Sequence, residues 1–136
     1  MKTDTSTLPK LRIAQTDNER LRLLLDIVIK SQPQQRGTLQ PLRDELERAE
    51  VLASDLMPTD VVVMGSRVEI EDCESGELDI YTLVYPEHAD AAAGKISILA
   101  PIGMGLIGFA AGDTFVWRTP GGPRRLRIRK VTPPVA

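Results

Sequence analysis

The chain has one cysteine and one histidine among 136 residues, and Cys73 and His88 stand well apart. Neither a zinc cluster nor a Cys-His nucleophile pair can be built from a single member of each. No internal disulfide can form, so a reducing cytoplasm is the expected compartment. Aromatic residues make up only 4% of the sequence, and the core must therefore be mostly aliphatic. No apolar run approaches the roughly eighteen residues of a membrane span. The opening MKTDTSTLPK carries no apolar stretch of the secretory kind, so neither a membrane nor an export route is expected. The net charge of -2 lacks the basic excess of a general phosphate-backbone binder, and direct nucleic-acid binding is not expected.

What is present divides into two parts. Thr16-Asp17-Asn18-Glu19 has the form of a capping box, a hydroxyl followed three positions later by a carboxylate. Leu21, Leu24, Leu25 and Val28 follow at helical spacing, and the helix should stop near Ser31, ahead of Pro33. Thr38 is the expected N-cap of a second helix, with Pro41 in its first turn and an apolar stripe of Leu39, Leu42, Leu46 and Ala49. The connection Ser31 to Gly37 suits an antiparallel pair.

After a link at Leu56-Met57-Pro58, strands are expected at Val61 to Met64, Arg67 to Asp72, Leu78 to Tyr85, Ile96 to Leu99, Thr114 to Arg118 and Arg124 to Val131. The division is residues 1–15 as a partly flexible lead-in, 16–55 as a helical hairpin and 56–136 as a β-rich domain. The fold class is α+β.

Gly103-Met104-Gly105-Leu106-Ile107-Gly108 is a literal GxGxxG directly after a strand. A dinucleotide site would need a full βαβ unit and an acidic residue roughly twenty positions on. Arg124-Arg125 lies there instead, and Pro120-Gly121-Gly122 interrupts the crossover. No cofactor is expected. The run reads as a short helix opened by Pro101, ended by Gly108 and kept close to a sheet by Gly103 and Gly105. Ser66, Ser75 and Ser97 have no nucleophile-elbow context, and the adjacent carboxylate pairs Asp44-Glu45 and Glu71-Asp72 diverge on a helix or strand. Neither a catalytic nor a metal-binding set is expected.

Charge is uneven. Carboxylates crowd residues 44–79, while Arg118, Arg124, Arg125, Arg127, Arg129 and Lys130 gather near the end. Alternation along a strand places Arg125, Arg127 and Arg129 opposite Leu126 and Ile128. This arginine stripe is a candidate electrostatic contact, or a solvated outer face. Trp117 is read as core first and as an interface anchor second.

The Ala100-Pro101-Ile102 step, Leu106-Ile107-Gly108, Gly112-Asp113 and Pro120-Gly121-Gly122 together resemble the GreA/GreB superfamily of bacterial transcription factors. Met57-Pro58-Thr59-Asp60-Val61-Val62, Thr82-Leu83-Val84-Tyr85-Pro86 and the shortened helical pair are most similar to its Rnk family. The resemblance implies an FKBP-like C-terminal domain and a non-enzymatic regulator of transcription elongation. It implies binding to RNA polymerase at the rim of the secondary channel, in competition with Gre-type factors. On that reading Ala100, Pro101, Ile102, Gly103, Met104, Pro120, Gly121 and Gly122 contact polymerase, and Ile102→Asp should weaken binding while leaving the fold largely intact. The channel-facing tip holds Gln34, Gln35 and Arg36. Gre factors that stimulate cleavage carry acids at the tip to hold magnesium, a hard cation that prefers carboxylate oxygens; here there are none, so cleavage stimulation is not expected. Leu99-Ala100 replaces the Asp-Ser that Gre factors tend to show before the proline. The alternative is an FKBP-like peptide-binding or prolyl isomerase module, which would call for an aromatic-lined pocket.

Overall fold

A computed structural model describes residues 11–119 and 121–134. The chain divides into two compact units between Asp55 and Leu56.

The first unit is built on two helices, α1 (Gln15–Ser31) and α2 (Arg36–Arg48), joined by one 3-10 turn at Pro33–Gln35. Two short strands, β1 (Arg12–Ala14) and β2 (Glu50–Leu52), pair in parallel at their base. Asp26 of α1 is ion-paired with Arg43 of α2, and Thr16 hydroxyl meets that of Ser54 at 3.2 Å. Partners that approach from opposite directions along the chain in this way define an antiparallel hairpin. Leu21, Leu25 and Ile29 of α1 and Leu39, Leu42 and Leu46 of α2 are buried, so the seam follows every fourth residue of α1, with Leu24 and Val28 only half-buried beside it.

Two expected caps do not form. The N-cap of α1 is Ala14, without a side-chain cap. Pairing of β1 with β2 carries the chain straight into the helix, which places Thr16 inside the first turn with its hydroxyl turned to Ser54. The residues just before the hairpin are thus a strand. Likewise α2 starts at Arg36, and Thr38 and Pro41 lie within it. The turn opened by Pro33 runs directly into α2, so the connection is shorter than Ser31 to Gly37. Pro41 removes one amide from the helical ladder.

The second unit is a five-stranded mixed sheet in the order β5-β4-β3-β7-β6. Its strands are β3 (Arg67–Asp72), β4 (Leu78–Val84), β5 (Lys95–Ser97), β6 (Thr114–Thr119) and β7 (Gly122–Thr132), with the short helix α3 (Pro101–Leu106) between β5 and β6. Val68, Ile70, Leu83, Leu126 and Ile128 are buried on the inner face, together with Ile98, Leu106 and Ile107 from the β5–α3 segment. Leu78, Ile80 and Val116 are exposed at 54, 45 and 57%, and register places them on the outer face with Glu69, Glu71, Arg125 and Arg127.

Val61 to Met64 is not a strand of this sheet. Val61 forms an isolated bridge with Ala110, and Val62 exchanges backbone hydrogen bonds with Gly108 and Phe109 at 3.0 and 2.8 Å. This apolar segment is buried through Val61, Val62 and Met64, and it closes the core against the chain leaving α3. Ser66, fully buried, is satisfied by accepting the Val63 amide at 2.9 Å.

Candidate functional site

The proline step sits where β5 delivers the chain onto the sheet. Ala100 is the N-cap of α3 and Pro101 occupies its first turn, where a missing amide costs nothing. Pro101 is exposed and Met104 partly so, but Gly103 is buried and Ile102 is only 7% exposed. A direct contact through this step would therefore fall to Ala100, Pro101 and Met104. The expectation that Ile102→Asp leaves the fold intact is overturned, because the carboxylate would enter the core.

Gly103 is required by close approach. A Cβ there would lie 2.2 Å from the Ser97 carbonyl oxygen and 3.2 Å from Ile98 Cα. Gly105 differs, since its added Cβ would meet only Phe115 Cε2, at 3.9 Å. Gly108 adopts φ +83° two residues beyond the last helical residue. The glycine string is thus explained by packing and by a left-handed turn. Gly121 is exposed, Gly122 is half-buried at φ +114°, and Pro120 lies outside the described residues.

The arginine stripe faces the other way. Arg125, Arg127 and Arg129 are exposed on β7, whereas α3 covers part of the inner face. The α3 proline step and the arginine stripe are therefore on opposite sides of one sheet. A register shift between Glu69 and Ile70 pairs Glu69 with Lys130 and Ile70 with Ile128, leaving Arg129 as the extra residue. The bulge resets the alternation, so Val131 is buried instead of Lys130. Arg129 is also ion-paired with Glu71 at 3.3 Å. The stripe is thus two arginines in regular alternation and a third held at a bulge beside an acid.

A cleft of about 260 Å³ opens on the inner face beside α3. Tyr81, Trp117, Ile102 and Leu126 supply its apolar lining, with Glu77 and Asp79 among its ionisable groups. At one end Arg124 donates through Nε to Asp72 Oδ2 at 2.7 Å and pairs with the same oxygen through Nη2. The other Asp72 oxygen accepts the amides of Glu74 and Ser75, at 2.8 and 3.1 Å, and shapes the β3–β4 turn. Hydrogen bonding from Arg124 holds the Asp72 carboxyl below its ordinary value of 3.8, helped by those two amides. Burial, and then the charge of Asp79, raise the Tyr81 phenol above 10.0.

The sequence points to no role for Glu77 or Asp79, and Tyr81 enters only as one of the few aromatics available to a peptide-binding pocket. Their one signal is the i, i+2 spacing of Asp79 and Tyr81, which puts both on one strand face. Their meeting with Trp117 depends on β7 standing between β3 and β6.

In the first unit Gln34 and Arg36 are exposed and Gln35 is half-buried at the hairpin tip. Gln32 closes α1 by donating its amide to the Val28 carbonyl at 2.7 Å. With 17 and 13 residues, the helices are about 25 and 20 Å long. Among the described residues no group of His, Cys, Asp and Glu is arranged to hold a metal ion, and no helix is long and apolar enough to cross a membrane.

Residues 57–133 match the family described as transcription elongation factor GreA/GreB, C-terminal domain. The Regulator of nucleoside diphosphate kinase of Escherichia coli K12 is 37% identical over 116 residues, covering 84% of this chain and 82% of that protein. Transcription elongation factor GreA of Anaeromyxobacter sp. (strain K) is 39% identical over 95 residues, covering 70% of this chain and 57% of that factor. Among solved structures, the prokaryotic transcription elongation factor GreA/GreB from Nitrosomonas europaea aligns with a TM-score of 0.79 and 41% identity, over 91% of this chain and all of that one. Thermus aquaticus Gfh1 shares the fold at a TM-score of 0.53 and 23% identity, covering 93% of this chain and 100% of that one. The motifs around α3, the α+β fold and these matches agree: the chain belongs to the GreA/GreB family of transcription elongation factors.

Proposed function

We propose that the chain is a non-enzymatic regulator of transcription elongation in the cytoplasm. It binds RNA polymerase at the rim of the secondary channel and competes with Gre-type factors without stimulating transcript cleavage. The family assignment supports the polymerase partner. The observation that carries the finer reading is the hairpin tip, where Gln32, Pro33, Gln34 and Gln35 join the helices without a carboxylate. Amide oxygens are neutral and weaker magnesium ligands than carboxylates. The reach of about 25 Å along α1 is the second limit, so writing Glu at positions 34 and 35 does not confer cleavage.

Docking through the second unit would use Ala100, Pro101 and Met104 on one side of the sheet, with Arg125 and Arg127 on the other steering the encounter. The test is a backtracked elongation complex with labelled RNA, with and without a Gre factor. The expected result is no cleavage with this protein alone and suppression of Gre-stimulated cleavage at saturation. Cleavage products from this protein alone would refute the reading. Unaltered Gre activity at saturation would remove the competition.

A further inference from the structure

We propose that the inner-face cleft of the second unit is a receptor for one basic side chain, a lysine or an arginine, presented by a partner polypeptide. The inference goes beyond the polymerase reading and does not depend on it.

Size comes first. At about 260 Å³ the cleft falls below the roughly 300–1,000 Å³ of pockets that enclose a small organic ligand. It has room for one side chain. Its walls come next. Tyr81 and Trp117 line the same space, and the faces of tyrosine and tryptophan attract a cation through the ring quadrupole.

Charge then decides the class of ligand. Four ionisable groups other than tyrosine line the cleft: Asp72, Glu77, Asp79 and Arg124. Arg124 is committed to Asp72, with Nε and Nη2 both on Oδ2, which makes that pair internally neutral. Glu77, whose charge is also felt at Arg124, and Asp79 remain, so three carboxylates face one guanidinium and the lining is net negative by two charges. The field of Asp79 is felt at Tyr81, whose phenol it helps to hold neutral. An anion is repelled here, and nucleic acid with it. A purely apolar side chain would take water from two carboxylates and return no hydrogen bond. A guanidinium or ammonium on an aliphatic stem satisfies both halves of the lining, with its stem on Ile102 and Leu126 and its head at Asp79 and Glu77.

Trp117 is the sole tryptophan, so its fluorescence reports on the cleft directly. The probes are blocked tripeptides, Ac-Ala-X-Ala-NH2, with X arginine, lysine, citrulline, norleucine or glutamate, titrated into the full chain at pH 7. Backbone amide shifts of Asp79, Ile80 and Tyr81 give a second readout. The expected result is saturable binding of the arginine and lysine peptides that weakens with added salt, and at least tenfold weaker binding of citrulline, norleucine and glutamate. The double variant Glu77→Gln/Asp79→Asn changes two exposed positions and should lose affinity about tenfold at an unchanged unfolding midpoint. Citrulline or norleucine binding within threefold of arginine would overturn the proposal, as would full affinity in the double variant. Absence of saturable binding by either basic peptide would overturn it too.

Discussion

Two glycines two positions apart on the same short helix should respond unequally to the same substitution. In Gly103→Ala the new methyl would stand 2.2 Å from the Ser97 carbonyl oxygen, where ordinary contact begins near 3.4 Å. That oxygen is backbone at the end of β5, and Ile98 behind it is fully buried, so no flexible side chain can give way. The helix must retreat by about 1 Å, which loosens the packing of Ile102 and Leu106. Overpacking of this kind costs about 1–3 kcal/mol, and the gain in helix propensity from replacing glycine offsets at most about 1 kcal/mol. A clash of this depth with backbone belongs to the upper part of that range, about 2–3 kcal/mol, so the net expectation is a loss of about 1–2 kcal/mol. For a unit of this size each kcal/mol moves the midpoint by about 4–8 °C, which gives a fall of roughly 4–16 °C. Gly105→Ala meets only Phe115 Cε2 at 3.9 Å, an ordinary contact. It should be neutral or raise stability by about 0.4–1 kcal/mol through the unfolded chain. Thermal unfolding followed by Trp117 fluorescence measures both in the unit that holds α3. A Gly103→Ala protein at least as stable as Gly105→Ala would refute the claim that close approach of α3 to β5 fixes glycine at 103.

Three other outcomes are expected. Asp72 has a depressed carboxyl, so its pairing with Arg124 stabilises the fold above 3.8 and that contribution is lost as pH falls below 3.8 through the lower folded value; the stability difference between wild type and Asp72→Asn should therefore be constant near neutrality and shrink on acidification, as urea melts across pH 2–7 would show. Ile102→Asp should cost about 3–5 kcal/mol by placing an unpaired carboxylate in the core, with denaturant midpoints as the check; a variant of wild-type stability would return Ile102 to the contact surface. Arg125→Gln/Arg127→Gln should slow association with RNA polymerase at low salt and leave association at high salt nearly unchanged; stopped-flow on-rates equal to wild type at low salt would make the stripe a solvated face.

The sequence by itself determined what is local. Period and punctuation placed two helices and the main strands, because a stripe of leucines every three or four residues has only one way to be buried. The α3 step was legible for the same reason: Pro101 suits a first helical turn, and Gly108 supplies a left-handed φ of +83°. The family motif rested on such residues, and Gly112 and Asp113 prove to be turn chemistry, with the Asp113 carboxylate accepting the Ala110 amide at 2.8 Å. Tertiary structure decided the rest, because it depends on which segments become neighbours. Thr16 formed no cap, since pairing of β1 with β2 carried the chain into the helix ahead of it. Val61 to Met64 had a strand's composition, yet its hydrogen bonds went to the chain leaving α3. The bulge at Arg129 follows from how β7 is pinned against β3, which no alternation count contains. Tyr81 and Trp117 lie far apart in the chain and line one cleft only because β3 and β7 stand between their strands in a single sheet.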